Sequence, residues 1–122
     1  MKQILAVFLG GIIAASGWGE VVVPYSTELV KKAESGGAEA QCSLGWCYKH
    51  GKGVAKDGGE AVKWYTKAAE QGHAEAQNSL AACYYGGKGV IQDYKEAVKW
   101  CMKSAEQGFP PAKESLERMK SK

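Results

Sequence analysis

The sequence predicts an all-α fold built from repeated helical hairpins, and three observations indicate it. Residues 38–72 and 74–108 match at 23 of 35 positions when the chain is compared with itself at an offset of 36 residues. Within each copy, apolar and small residues recur at the spacing of one helix face. Paired glycines and an aspartate separate the two helical stretches of each copy. Such a period is typical of arrays in which each hairpin buries its apolar face against the next.

The first residues are predicted to be an export signal rather than part of this fold. Lys2 precedes an apolar run over residues 4–15, which has the length of a signal-peptide core and is short for a membrane span. Small residues then allow cleavage after Ser16, or one residue later. An uncleaved anchor is the alternative. We expect residues 1–16 to be removed and residues 17–26 to form a linker in a protein that is secreted or periplasmic, in a bacterium.

Each copy begins with a helix that presents one small or apolar face. In the first copy the helix starts at Ala38, and its residues at i, i+3, i+4 and i+7 form this face. These residues are Gln41, Leu44, Gly45 and Tyr48. Gly45 facing Ala61 on the following helix should let the two backbones approach closely. The helix should end at Gly51 and Gly53, because glycine accepts the positive φ of a helix C-terminus.

A second helix is predicted to begin after an aspartate in each copy. Asp57 is followed three residues later by Glu60, and Asp93 by Glu96, which is an Asp-led form of the capping box. Each second helix should stop at the glycine that closes its copy. The short connection to the next Ala-rich helix then makes neighbouring helices antiparallel.

The repeat register continues beyond both copies, so a half unit is predicted at each end. Residues 31–36 match the end of the first copy, and residues 112–116 match the start of the second. We expect a repeat domain over 27–120 with six helices in three stacked pairs, the two end helices acting as caps. The predicted elements are a helix near 27–35, hairpins at 38–71 and 74–107, and a capping helix at 110–120.

These features closely resemble the Sel-one-like repeat family, which is related to tetratricopeptide repeats. The resemblance covers residues 27–119, and its Gly-x-Gly-Val turn, capping aspartate, second-helix tryptophan and Ala-Glu-Gln-Gly ending each occur twice. It implies a right-handed α/α superhelix, a tetratricopeptide-like solenoid of two full 36-residue hairpins and two half units. It also implies an exported scaffold or adaptor that binds a protein or peptide of unknown identity, with no cofactor and no fixed ligand.

By resemblance to tetratricopeptide arrays, the first helices line the concave side of the superhelix. Outward positions that differ between the two copies are predicted to bind the partner. They are Trp46, Lys49, His50, Asn78 and Tyr85, while Cys42 is also expected to point outward. An aromatic pair beside polar groups has the composition of a binding hot spot. The alternative is a scattered exposed surface without a dedicated role.

The four cysteines are even in number in a chain that is expected to be exported, which favours disulfides. Cys42 and Cys47 are five residues apart on one helix, so their Cα atoms would lie roughly 8 to 9 Å apart, beyond the usual reach of a bridge. Cys83 and Cys101 lie on the two helices of one hairpin and are the most plausible pair. The alternative is that the cysteines are small buried apolar residues.

Other functions lack the residues that they need. No serine precedes a lysine by three residues and no Lys-Thr-Gly occurs, so a small β-lactamase-like hydrolase is a disfavoured alternative. A purely structural module, or a fragment of a larger array, is the other alternative. The Gly-Lys-Gly turns follow helices, unlike phosphate-binding loops. Cys42, Cys47 and His50 are spread around one helix, unlike zinc ligands. The net charge of +3, with Lys and Glu interspersed, does not indicate binding to nucleic acid. No second hydrophobic segment follows residues 4–15, so we expect no membrane association after the signal is cleaved.

The export signal gives a direct test. Mature protein isolated from its native host should lack about sixteen N-terminal residues, because a signal peptidase removes the apolar segment after the small residues. Intact-mass spectrometry measures this loss. Full-length protein recovered from the cytoplasm would contradict the prediction.

Overall fold

The computed structural model describes residues 24–121, so the predicted signal peptide and most of the predicted linker lie outside the described residues. Within residues 24–121 the chain forms six α-helices and no strand. The helices are α1 Thr27–Glu34, α2 Ala38–His50, α3 Gly58–Glu70, α4 Ala74–Gly86, α5 Tyr94–Glu106 and α6 Pro110–Lys120. None of these helices has the length and hydropathy needed to cross a membrane. The all-helical repeat fold predicted from the sequence is confirmed.

The second helix of each hairpin begins at the predicted aspartate. Asp57 Oδ1 accepts a hydrogen bond from the Glu60 N–H at 3.1 Å, and Asp93 Oδ1 accepts from the Glu96 N–H at 3.1 Å. The two glutamate side chains differ from a full capping box, because each pairs with a lysine three residues later on its own helix. Only the aspartate half of the predicted box therefore forms.

Two glycines end the first helices in the left-handed conformation. Gly51 has φ 67° and Gly87 has φ 65°, and their N–H groups donate to the carbonyls of Cys47 and Cys83. An L-residue in this conformation is strained, which explains why glycine occurs here in both copies. The predicted ends of α2 and α4 are confirmed in this way.

A relay of glutamine amides joins successive helices through the core. Gln41 Nε2 donates to the Ala33 carbonyl at 3.0 Å, while its Oε1 accepts from Gln71 Nε2 at 2.8 Å. The second copy repeats the arrangement, with Gln77 Nε2 donating to the Ala69 carbonyl at 3.1 Å and accepting from Gln107 at 2.9 Å. Gln41 and Gln77 are only 5% and 4% exposed. Their amides are fully paired, so they fix the layers without the cost of an unsatisfied buried group.

The close approach of the two helices within a hairpin is achieved by a different residue pair in each copy. A Cβ on Gly45 would lie 2.9 Å from ring carbons of Tyr65 and 3.2 Å from the Ala61 carbonyl oxygen. The second copy has Ala81 at the position of Gly45 and Cys101 at the position of Tyr65, and both are buried in one cluster. Ala81 adds a methyl group relative to Gly45, and Cys101 is smaller than Tyr65. The two changes offset each other, so the space between the helices stays filled in each hairpin.

This balance predicts a non-additive pair of substitutions. Gly45→Ala should destabilise the protein, because overpacking against Tyr65 costs about 1 to 3 kcal/mol and exceeds the helix-propensity gain of about 1 kcal/mol. In a Tyr65→Cys background the same change should stabilise it. Urea denaturation of the four proteins gives the coupling free energy. If the changes in unfolding free energy are additive, the Tyr65 ring is not the reason why glycine is required at position 45.

Candidate functional site

Trp46 and His50 form an aromatic shelf on α2. They lie one helical turn apart, with ring centroids 4.6 Å apart and ring planes inclined by 46°. His50 is exposed, whereas Trp46 is half-buried at the edge of a core cluster that contains Leu29 and Leu44. The predicted outward position of Trp46 is therefore only partly realised. Its indole contributes to the core on one edge and to the surface on the other.

Positive charge surrounds this shelf. The pKa of His50 is lowered from its usual value, first by burial and then by the nearby ammonium groups of Lys49, Lys52 and Lys56. Lys49 is half-buried and also lies near Cys83 of α4. Burial raises the pKa of the Cys83 thiol, and the charge of Lys49 partly offsets this by lowering it. The shelf and the three lysines together occupy the C-terminal end of α2 and the turn that follows.

An open groove of about 540 Å³ lies between α1 and α2. Its apolar lining includes Leu29 and Ala40, and its polar lining includes Ser43 and Glu39. Ser43 is about one turn from Trp46 along α2, so the groove and the shelf are adjacent on the same helix. The groove is of a size that holds a side chain or a short peptide segment.

Tyr85 and Asn78, the two predicted partner-binding residues on α4, have separate surroundings. Tyr85 is half-buried and its ring lies 5.2 Å from that of Tyr94. Asn78 is half-buried with its Oδ1 4.0 Å from the Cys101 thiol, so this side chain belongs to the α4–α5 seam. The structure thus brings together Trp46, Lys49 and His50 on α2, and it turns Asn78 inward.

Two exposed apolar residues in and after the α4–α5 loop were not predicted from the sequence. Ile91 is 87% exposed and Tyr94 is 58% exposed. The repeat comparison could have identified both residues, because the first copy has Ala55 and Gly58 at the corresponding positions. Both residues differ between copies, which is the criterion that singled out Tyr85.

The predicted disulfide between Cys83 and Cys101 is not formed in the structure, where both residues are free thiols. Cys83 packs in the cluster that contains Cys42 and Tyr65, whereas Cys101 packs with Ala81 and Ala112. The two cysteines share a hairpin, but Cys83 packs towards the preceding hairpin and Cys101 packs towards α6. The pairing inferred from the sequence does not form in this arrangement. The Cys101 thiol donates to the Ala112 carbonyl at 3.3 Å.

Cys42 corrects a second expectation, since it is 6% exposed instead of facing outward. Burial raises the pKa of its thiol to about 12, with smaller contributions from Glu75 and Glu39. Burial likewise raises the thiol pKa of Cys83 and Cys101. Within residues 24–121 no group of three or more His, Cys, Asp or Glu residues is placed to hold a metal ion.

A family model described as the Sel1 repeat matches residues 38–73 and 74–109, which together make up more than half of the chain. Both segments coincide with the hairpins α2–α3 and α4–α5. The match therefore rests on the two complete units and excludes the half units.

Several known proteins are similar to this chain. The secretory immunoglobulin A-binding protein EsiB of Escherichia coli O6:H1 is 41% identical over 67 residues, which are 55% of this chain and 14% of that protein. A protective antigen of uropathogenic Escherichia coli with an SLR fold has a TM-score of 0.73 at 44% identity, over 76% of this chain and 20% of the antigen. This chain thus spans only a small part of both relatives.

Two further solved structures are similar over larger shares of their own length. A Sel1 repeat protein from Oxalobacter formigenes has a TM-score of 0.72 at 41% identity, over 74% of this chain and 68% of that chain. Cysteine-rich protein B of Helicobacter pylori has a TM-score of 0.68 at 33% identity, over 72% of this chain and 66% of that chain. Both likenesses extend beyond a single hairpin.

The raised thiol pKa predicts slow alkylation of the folded protein. At about pH 8 Cys42 should react with iodoacetamide less than about one tenth as fast as in urea, because the thiolate is scarce and buried. Mass spectrometry of tryptic peptides measures the rate at each cysteine. Equal rates in folded and unfolded protein would contradict the buried position, and a cysteine that reacts in urea only after reduction would reveal a disulfide.

Proposed function

Because this chain belongs to the Sel1 repeat family, we propose that it is a non-catalytic scaffold that binds a protein or peptide partner through the exposed face of α2. Sel1 repeats generally mediate contacts between proteins. The observation that carries the proposal is the aromatic shelf of Trp46 and His50, which lies beside Lys49 and the groove between α1 and α2. Tyr85 on α4 would extend the same binding surface, whereas Asn78 would support it from the hairpin seam.

The repeat itself supports this choice of residues. The second copy folds into the same hairpin with Ala82, Tyr85 and Gly86 at the positions of Trp46, Lys49 and His50. The scaffold therefore does not require the residues of the shelf. A large aromatic side chain that the repeated hairpin does not require, and that lies beside an open groove, is the kind of residue that anchors partners in binding hot spots.

The hydrolase alternative has no support from the thiols. A cysteine nucleophile needs an accessible group with a lowered pKa. Cys42, Cys83 and Cys101 are instead buried with raised pKa values. These thiols have the chemistry of core residues, in keeping with a fold that is generally a non-catalytic interaction scaffold.

The relatives also agree with a protein partner. EsiB is named for binding secretory immunoglobulin A. Since this chain matches only 14% of that protein, the relative supports the class of partner and not its identity. We further propose that the protein acts outside the cytoplasm, on the basis of the signal-like residues 1–16, and that its partner is met there.

The partner should be sought by affinity capture from the exported fraction of the native host, with mass spectrometry to identify bound proteins. Against that partner, Trp46→Ala should weaken binding by about 2 kcal/mol, which is roughly thirtyfold in Kd. Isothermal titration calorimetry measures the change. Tyr85→Ala should weaken binding in the same direction by a smaller factor.

Two controls separate binding from stability. Trp100→Ala removes a half-buried tryptophan from α5 and should leave the Kd unchanged while lowering the melting temperature. Leu80→Ala should cost about 2 to 5 kcal/mol of unfolding free energy by opening a cavity in the core. The proposal fails if Trp46→Ala and Tyr85→Ala both retain full affinity in variants that remain folded.

A further inference from the structure

Four basic residues crowd the C-terminal end of α2 and the following turn. They are Lys49, His50, Lys52 and Lys56. Neither of the two salt bridges found within residues 24–121 involves any of them, since those bridges join Lys63 to Glu60 and Lys99 to Glu96. The charged groups that act on the His50 pKa are all lysines. Asp57 follows Lys56 in the chain, but its carboxylate accepts the Glu60 N–H as the cap of α3. Three lysines beside one carboxylate leave a local excess of positive charge at this end of the molecule.

Helix stability alone does not account for this charge. Basic residues are favourable near the C-terminus of any helix, because they interact with the unpaired carbonyls of its last turn. The end of α4 has the same geometry, with Gly87 in place of Gly51. Tyr85, Gly86 and Gln92 nevertheless replace Lys49, His50 and Lys56 there, and only Lys88 keeps its charge. The second copy forms the same pair of helices without the cluster.

We propose that this basic cluster binds an acidic segment of a partner protein, with carboxylates on the lysines and an apolar residue against Trp46. The inference rests on the proposed function and specifies the chemistry of its ligand. Charge complementarity favours Asp and Glu, since several neighbouring ammonium groups without salt-bridge partners attract carboxylates and repel basic segments. The shelf of Trp46 and His50 directly beside the lysines favours a peptide over a bare anionic surface, because it offers an apolar contact as well.

The experiment selects binders from a library of random peptides displayed on phage, using the purified domain as bait. Selected peptides should be enriched in Asp and Glu together with an aromatic or aliphatic residue. For a selected acidic peptide, the triple variant Lys49→Gln, Lys52→Gln and Lys56→Gln should lose about tenfold or more in affinity. Raising the salt concentration from about 50 mM to about 500 mM should weaken binding to the unmodified domain in the same direction.

A matched variant has the same net charge as the first triple variant but keeps the basic cluster. Lys95→Gln, Lys113→Gln and Lys120→Gln remove three exposed lysines from α5 and α6, and this protein should bind the peptide within about twofold of the unmodified domain. Circular dichroism checks that both triple variants keep the helical fold. Equal losses in the two variants would show that only the overall charge matters, and would overturn the proposal.

The remaining outcomes distinguish the inference from the proposed function. Binders without acidic enrichment, whose affinity still depends on Trp46, would overturn the acidic ligand and leave the scaffold function in place. A library that yields no binders contradicts both. Vesicles containing phosphatidylserine provide the last comparison, since binding to them that is lost in the first triple variant but kept in Trp46→Ala would assign the cluster to a membrane surface instead.

Discussion

Gln41 and Gln77 hold the layers of this protein in register. Each amide lies in the core, donates to a carbonyl of the preceding second helix and accepts from a glutamine that follows its own hairpin. Three successive helices are thus tied at one point. Because these polar groups are costly to bury unless every partner is present, a shift of one layer against the next would leave an amide unpaired. These hydrogen bonds therefore favour one register between successive layers, whereas apolar burial provides most of the stability.

Within this fixed stack, each hairpin adjusts its own packing. In the first hairpin the space between the helices is filled by a small Gly45 and a large Tyr65. In the second hairpin it is filled by the larger Ala81 and the smaller Cys101. Sequence differences inside the core therefore compensate one another between facing helices. The differing residues Trp46 and His50 on α2 have no such counterpart in the core, which is consistent with the partner-binding role proposed for them.

The proposed binding surface is built on the scaffold. The Trp46 indole is anchored at the edge of the core, so its exposed edge is held in place at little entropic cost on binding. The lysines sit on the last turn and on the loop after it, where helix geometry already favours positive charge. For the proposed partner, a rigid aromatic side chain beside positioned charges would supply both affinity and selectivity, and the neighbouring groove would add contact area.

The sequence by itself determined the helices, their order, their caps and the antiparallel pairing, because all of these depend on contacts within about one 36-residue unit. The repeat also pointed to Trp46, Lys49 and His50 as residues that the scaffold does not need. Only the tertiary structure decided which flank of each helix the next layer covers. Cys42 is buried because its flank faces α4 and the Tyr65 ring, and Cys83 and Cys101 are separated because they face opposite layers. These contacts depend on how each unit is rotated relative to the next. The spacing of the repeat in the sequence does not specify that rotation.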